Sequence, residues 1–145
     1  MKKWLYAVLL AVVCFVPTFA EETSALPSIT TAQYDQMDKN NQVYILVFTM
    51  EYYCPPCRKM EKLLLPNLVA SYKDTPNVHI YQMDVQAPGD TRDDPDSLVN
   101  RFGAVGIPHL LVLHNDTVMF SQLGFSETMM PTLENKIKEV VNKFK

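Results

Sequence analysis

Residues Val43 to Thr49 read V-Y-I-L-V-F-T, seven positions without a charge and rich in β-branched and aromatic side chains. A strand with one face in water alternates polar with apolar residues. This run is apolar nearly throughout, so both of its faces must be covered, and it reads as the central strand of a sheet with layers on either side. The rest of the chain has to supply those layers.

The flanking patterns do so. Polar residues from Thr30 to Met37, with Tyr34 and Met37 apolar, suit a short helix capped by Thr30 or Thr31. Asn40-Asn41 signals a turn. After the strand, Arg58 to Tyr72 carries Met60, Leu64, Leu68 and Tyr72 at helical spacing, widened by Leu63, Leu65 and Val69. Pro66 removes a helix hydrogen bond inside that stretch, so a kink or break is expected near Leu65. Val78 to Val85 is the next strand. Gln86 to Asp96 reads as a polar, solvated loop, without the regular ligand spacing of a calcium site. Asp94 is expected to cap a helix that has Pro95 at its first position and Gly103 just past its end. Pro108–His114 and Thr117–Leu123 form a hairpin around Asn115-Asp116. A last helix runs from about Thr128 to Lys143, burying Met130, Leu133, Ile137, Val140 and Phe144. A crossover helix between strands implies parallel pairing, and the hairpin adds an antiparallel edge. One further short strand near Ser28 is possible in this order of elements.

The first twenty residues differ in character from the rest of the chain. Lys2 and Lys3 precede an apolar run from Trp4 to Val16, and Pro17 to Ala20 offers a small-residue cleavage site before Glu21 and Glu22. That layout is a secretory signal peptide, and the run is short of the ~20 apolar residues of a bilayer span. The expected organisation is a signal peptide over 1–20, a mobile leader over 21–28 and one domain over 29–145, periplasmic or secreted after cleavage near Ala20. An uncleaved anchor is the rival reading. Removing the signal leaves 11 basic groups against 16 acidic, a net charge of −5. That excess argues against a nucleic-acid partner, whose phosphates need a basic face.

Cleavage also removes Cys14 and leaves Cys54 and Cys57 in a compartment where disulfides persist. So short a ring stabilises little, roughly 2 kcal/mol in the loop-closure model. Chemistry explains the pair better. Zinc would need four ligands, and only His79, His109 and His114 are available, at scattered strand positions. No metal and no cofactor beyond the redox-active pair is expected.

A strand, then Cys54-Pro55-Pro56-Cys57 opening a long helix, then Gly106-Ile107-Pro108 before a hairpin about 50 residues on, resembles the thioredoxin superfamily across nearly all of residues 29–145. The resemblance implies an α/β thioredoxin fold: a central mixed β-sheet of four to five strands flanked by helices on both faces. It implies a cis proline at Pro108 beside the pair and a glycine at Gly124 between last strand and last helix. Its implied substrate contacts are Tyr53, Pro55, Pro56, Ile107 and Pro108. The export signal and the long loop before Asp94 look like the exported thioredoxin-like reductases, while the C-P-P-C-R string is also similar to tryparedoxins and nucleoredoxins. Two positions depart from the family. The buried aspartate six residues before the first cysteine is Phe48 here, and the lysine of the neighbouring strand is Gln82 or Tyr81. Water or Glu51 is left to carry the proton of the second thiol.

The chemistry expected of the pair comes from its place. Cys54 at a helix N-terminus meets unpaired N–H groups and the positive end of the dipole, which lower its pKa from the usual ~8.5 and leave its sulfur exposed as nucleophile. Cys57, one turn inside, is shielded and resolves the mixed disulfide. Pro55 and Pro56 have no N–H, and no histidine lies between the cysteines, so the thiolate is less stabilised and the protein should act as a reductant. Arg58 and Lys59 push the other way through screened charge. Ile107 resembles the reducing thioredoxins. The expected partners are disulfide-containing exported proteins and a membrane-bound electron donor, with the protein a monomer. A disulfide-introducing oxidase, and a redox-inactive binding module on the same fold, stand as alternatives. Tyr52 and Tyr53 read equally as an apolar substrate platform or as a cap on the core edge. His109 reads as a half-buried strand residue or a neighbour of the pair.

Overall fold

A computed structural model describes residues 26–50 and 52–145. The expected signal peptide, the first five residues of the leader and Glu51 lie outside the described residues. The apolar run forms β1 (Val43–Thr49), and all seven of its residues are buried. It pairs in parallel with β2 (Val78–Asp84) and antiparallel with β3 (His109–His114), which pairs with β4 (Thr117–Leu123). The sheet order is β2-β1-β3-β4, so the run with no polar face sits inside the sheet. Asn115 and Asp116 turn the β3–β4 hairpin with φ of 48° and 62°, the positive values that a two-residue turn of the type I′ family demands.

Alternation along β1 divides the core in two. Val43, Ile45 and Val47 join Leu110 and Val112 of β3 on one face. That face is covered by α2 (Pro55–Leu63), α3 (Leu65–Tyr72) and α5 (Met130–Lys143) through Met60, Leu64, Leu68, Leu133 and Ile137. Tyr44, Leu46 and Phe48 join Leu111 and Leu113 on the other face. There α1 (Thr31–Asp35) and α4 (Leu98–Arg101) cover them through Tyr34, Leu98 and Val99. Each such side chain, fully buried, contributes about 1.5–3 kcal/mol of transfer free energy.

Local chemistry sets the helix ends. Pro66 falls one residue inside α3, and the long helical stretch breaks at Leu64 as its proline requires. Thr30 caps α1 in a reciprocal box with Gln33. This helix stops at Asp35, short of Met37, whose N–H donates back to the Tyr34 carbonyl at 3.0 Å; Lys39 Nζ also donates to the carbonyls of Tyr34 and Met37. A 3₁₀ turn (Glu127–Met129) precedes α5.

Five expectations need correction. Residues 26–28 belong with the domain rather than with a mobile leader. Leu26 is buried, Ser28 bridges Gln82, and the carbonyl of Pro27 and the amide of Ile29 bond to the Gln82 backbone. The strand near Ser28 is only that bridge. Ser97, not Asp94, caps α4; its hydroxyl accepts from Asn100 N–H at 3.4 Å, whereas Asp94 turns back on Asp96 N–H. The acidic loop is not wholly solvated, since Asp90 is 1% exposed and accepts from Thr31 N–H at 2.7 Å. In α5 the third fully buried residue is Val141, while Met130, Val140 and Phe144 are only partly buried.

Candidate active site

Register places four segments at one end of the sheet. Phe48 pairs with His109 and His109 with Leu123, so the end of β1, the start of β3 and the end of β4 coincide, with the end of parallel β2 beside them. From this end the chain leaves β1 through Met50 and enters α2 at Cys54. The Ile107–Pro108 peptide, cis, lies at the same end, and Gly124 N–H donates to the Pro108 carbonyl at 2.8 Å. A Cβ at Gly106 would come within 2.9 Å of Leu123 Cδ1, so any larger residue there would require the Leu123 side chain to move. Ligands of open parallel-containing sheets bind at the carboxyl ends of strands, and that is where these segments meet.

Cys54 is the N-cap residue of α2 and is disulfide-bonded to Cys57, with Cα atoms 5.2 Å apart. Its sulfur accepts from Cys57 N–H at 3.3 Å. Pro55 and Pro56 occupy the first two helical positions, so an N-cap acceptor that normally draws on the second or third amide has only the third available. One hydrogen bond and the helix dipole are therefore what the backbone offers a thiolate at this sulfur.

Exposure follows the expected order but not the expected degree. Cys57 is fully buried; Cys54 is 6% exposed, not open. Access to it runs through a surface cleft of about 390 Å³ lined by Tyr53, Cys54, Pro55 and Arg58. The tyrosine question resolves clearly, because Tyr53 is 95% and Tyr52 60% exposed, and neither caps the core. Tyr53 adopts φ of 60°, a left-handed conformation that a bulky residue holds only at some cost in strain.

Ile107 faces a second, apolar cleft of about 280 Å³ with Met50, Val85, Val99 and Ala104, and Arg92 at its wall. Pro55 and Pro56 border a third, with Lys59, Phe125 and Glu127. Met50, Val85 and Arg92 were not identified from the sequence. Counting β1 and β2 to their shared carboxyl end would have found the first two, while nothing local marks Arg92.

The proton-carrier question changes in form. Phe48 faces α1 and α4, away from α2, and packs among Tyr44, Leu46 and Met83. The β1 residues alternating onto the α2 face are Val47 and Thr49, and Thr49, 5% exposed, brings a hydroxyl to that face. Gln82 is committed to the sheet edge, donating to the Leu26 carbonyl at 3.1 Å. His109 is more buried than expected, at 4% exposure. Its Nε2 pairs with Ser121 Oγ at 2.7 Å, and burial lowers its pKa.

Strand order, helices on both faces and a disulfide at the start of α2 define a thioredoxin-fold protein with a C-x-x-C pair. No protein-family model matches the chain, and no curated protein matches its sequence. Solved structures do match its shape. Mitochondrial thioredoxin 3 of Saccharomyces cerevisiae, in its oxidised form, superposes with a TM-score of 0.59 at 20% identity, over 80% of this chain and 96% of that one. The germline-specific thioredoxin Deadhead of Drosophila melanogaster gives 0.58 at 19% identity, over 78% and 99%. A chain solved for the thiol resolving mechanism of yeast mitochondrial 1-Cys peroxiredoxin gives 0.60 at 19%, over 80% and 96%.

Proposed function

We propose that this protein is an exported thiol–disulfide oxidoreductase that reduces protein disulfides. The observation that carries the reading is the Cys54–Cys57 disulfide at the N-terminus of α2, with Cys57 N–H pointed at the Cys54 sulfur. A pair so placed can do one job readily. In the reduced protein the Cys54 thiolate attacks one sulfur of a substrate disulfide. That bond breaks as a Cys54–substrate bond forms, and the departing thiolate takes a proton. Cys57 then loses its proton and attacks Cys54. The internal disulfide returns, and the substrate leaves with two electrons gained. A thiol donor from outside the protein must reduce the pair again; a membrane-bound donor suits an exported protein.

The direction rests on the two prolines. They leave the thiolate with a single amide donor, which disfavours the reduced form and makes it give up electrons more readily. Export rests on the first twenty residues of the sequence. Among the described residues no helix is long and apolar enough to cross a membrane.

The test is a trap. Cys57→Ser should accumulate mixed disulfides with client proteins on Cys54, and Cys54→Ser should accumulate none. Equal adducts with both variants, or none with either, overturn the assigned roles. Equilibration of the wild type against glutathione buffers fixes the direction. A potential as oxidising as DsbA, about −120 mV, would move the assignment to a disulfide-introducing oxidase.

A further inference from the structure

Three clefts surround the cysteine pair, and each has one cation in its wall: Arg58 at Cys54, Lys59 beside the prolines and Arg92 by Ile107. The chain as a whole carries net negative charge, −3. Positive charge gathered at the mouth of an acidic protein draws anions to that mouth. The three cations are not equivalent. Lys59 is already paired with Glu127 at 3.2 Å. Arg92 is turned inward, its Nη2 donating to the Ala104 carbonyl at 3.3 Å. Arg58 forms no ion pair among the described residues. Glu61, one turn on, feels its charge: burial raises the Glu61 pKa and Arg58 opposes that rise.

The Arg58 cleft is also the one that opens on the sulfur. Its other walls are Pro55, which offers no donor, and Tyr53, which stands almost wholly in solvent. A substrate segment whose disulfide reaches Cys54 must therefore lay its neighbouring residue between a guanidinium and an aromatic ring. A planar guanidinium binds a carboxylate through two parallel hydrogen bonds.

Resting on the reading of Cys54 as the attacking sulfur, we propose that Arg58 and Tyr53 select peptide disulfides in which an acidic residue flanks the cysteine. Arg58 takes the carboxylate, and Tyr53 covers the adjoining backbone and side chain. A basic residue in the same place is repelled.

Three model peptide disulfides, identical except for Asp, Asn or Lys beside the cysteine, provide the test. Reduced full-length protein is mixed with each, and the second-order rate of mixed-disulfide formation is followed by stopped flow. The expected order is Asp, Asn, Lys. The Asp-to-Lys ratio should be roughly fivefold at low salt and fall below about twofold at 0.5 M salt. Arg58→Gln should bring the low-salt ratio below about twofold, whereas Arg58→Lys, which keeps the charge but not the planar fork, should keep only part of it. Tyr53→Ala should slow all three peptides about threefold without reordering them. Equal wild-type rates, or an unchanged ratio in Arg58→Gln, overturn the selectivity. An unchanged rate in Tyr53→Ala overturns the part given to the ring. A reduced protein that reacts with none of the three peptides overturns the attacking role of Cys54 itself, a result distinct from equal reaction with all three.

Discussion

Pro56→Ala restores one amide at the helix position that can reach an N-cap side chain. Its effect can be worked from the site. The Cys54 sulfur now draws on Cys57 N–H alone. Alanine at the second helical position adds a second donor and is itself a good helix former, so the fold should be undisturbed. A hydrogen bond to a charged group contributes about 1.5–3 kcal/mol when well formed. The existing N–H···S contact is 3.3 Å long, so the low end of that range applies. About 1.4 kcal/mol is one pKa unit, so the Cys54 thiol should titrate about one unit lower. The same stabilisation of the reduced form makes the couple about 30 mV more oxidising. That full shift is read at a pH above the Cys54 pKa of both proteins; below it, part of the shift is lost to protonation. Alkylation rate against pH gives the first quantity, and equilibration with glutathione buffers gives the second. A Cys54 pKa that stays put, or a potential that moves the other way, would refute the argument that the two prolines tune this site.

Other consequences of the structure can be checked by unfolding. Ser121→Ala leaves His109 Nε2 buried without its 2.7 Å partner and should destabilise the protein by about 1–3 kcal/mol in a urea melt. Tyr34→Phe removes the hydroxyl that donates to Asp116 at 2.8 Å and joins α1 to the hairpin; the expected loss is about 1 kcal/mol, with activity intact. Burial lowers the pKa values of His79 and His109, so the unfolded state binds more protons in the window below ~6.5. Their contribution is therefore full above that value and is lost as pH falls through the lowered folded pKa. Melts between pH 7.5 and 5.5 should show this slope, and His109→Gln should flatten it.

The strands and their order were legible because each carries its own signal. β1 has no polar face, the hairpin has its Asn-Asp turn, and the long helix carries the proline that breaks it. The cysteine pair was legible for the same reason: strand, motif and helix are adjacent in the chain. Features decided by distant partners were not legible. Leu26 to Ser28 look like part of a mobile leader until β2 offers them a free edge. Asp90 looks solvated until the Thr31 amide meets it. Ser97 displaces Asp94 as a cap because Asp94 finds a closer amide at Asp96. Phe48 reads from the sequence only as a missing aspartate; that it packs among Tyr44, Leu46 and Met83 on the face away from α2 is visible only in the fold. Residue type could identify the sulfur chemistry, but only the fold shows how little of Cys54 meets solvent.

The pairing of residues 26–29 with Gln82 has a practical side. The sheet has two borders: the chain shields the β2 border with its own backbone, while β4 leaves its outer border uncovered along seven uncharged residues, with Val118, Met119 and Leu123 in solvent. Bare borders recruit strands from other molecules. A shortened protein starting at Thr30 would bare both borders at once, and such a species could stack end to end instead of stopping at pairs.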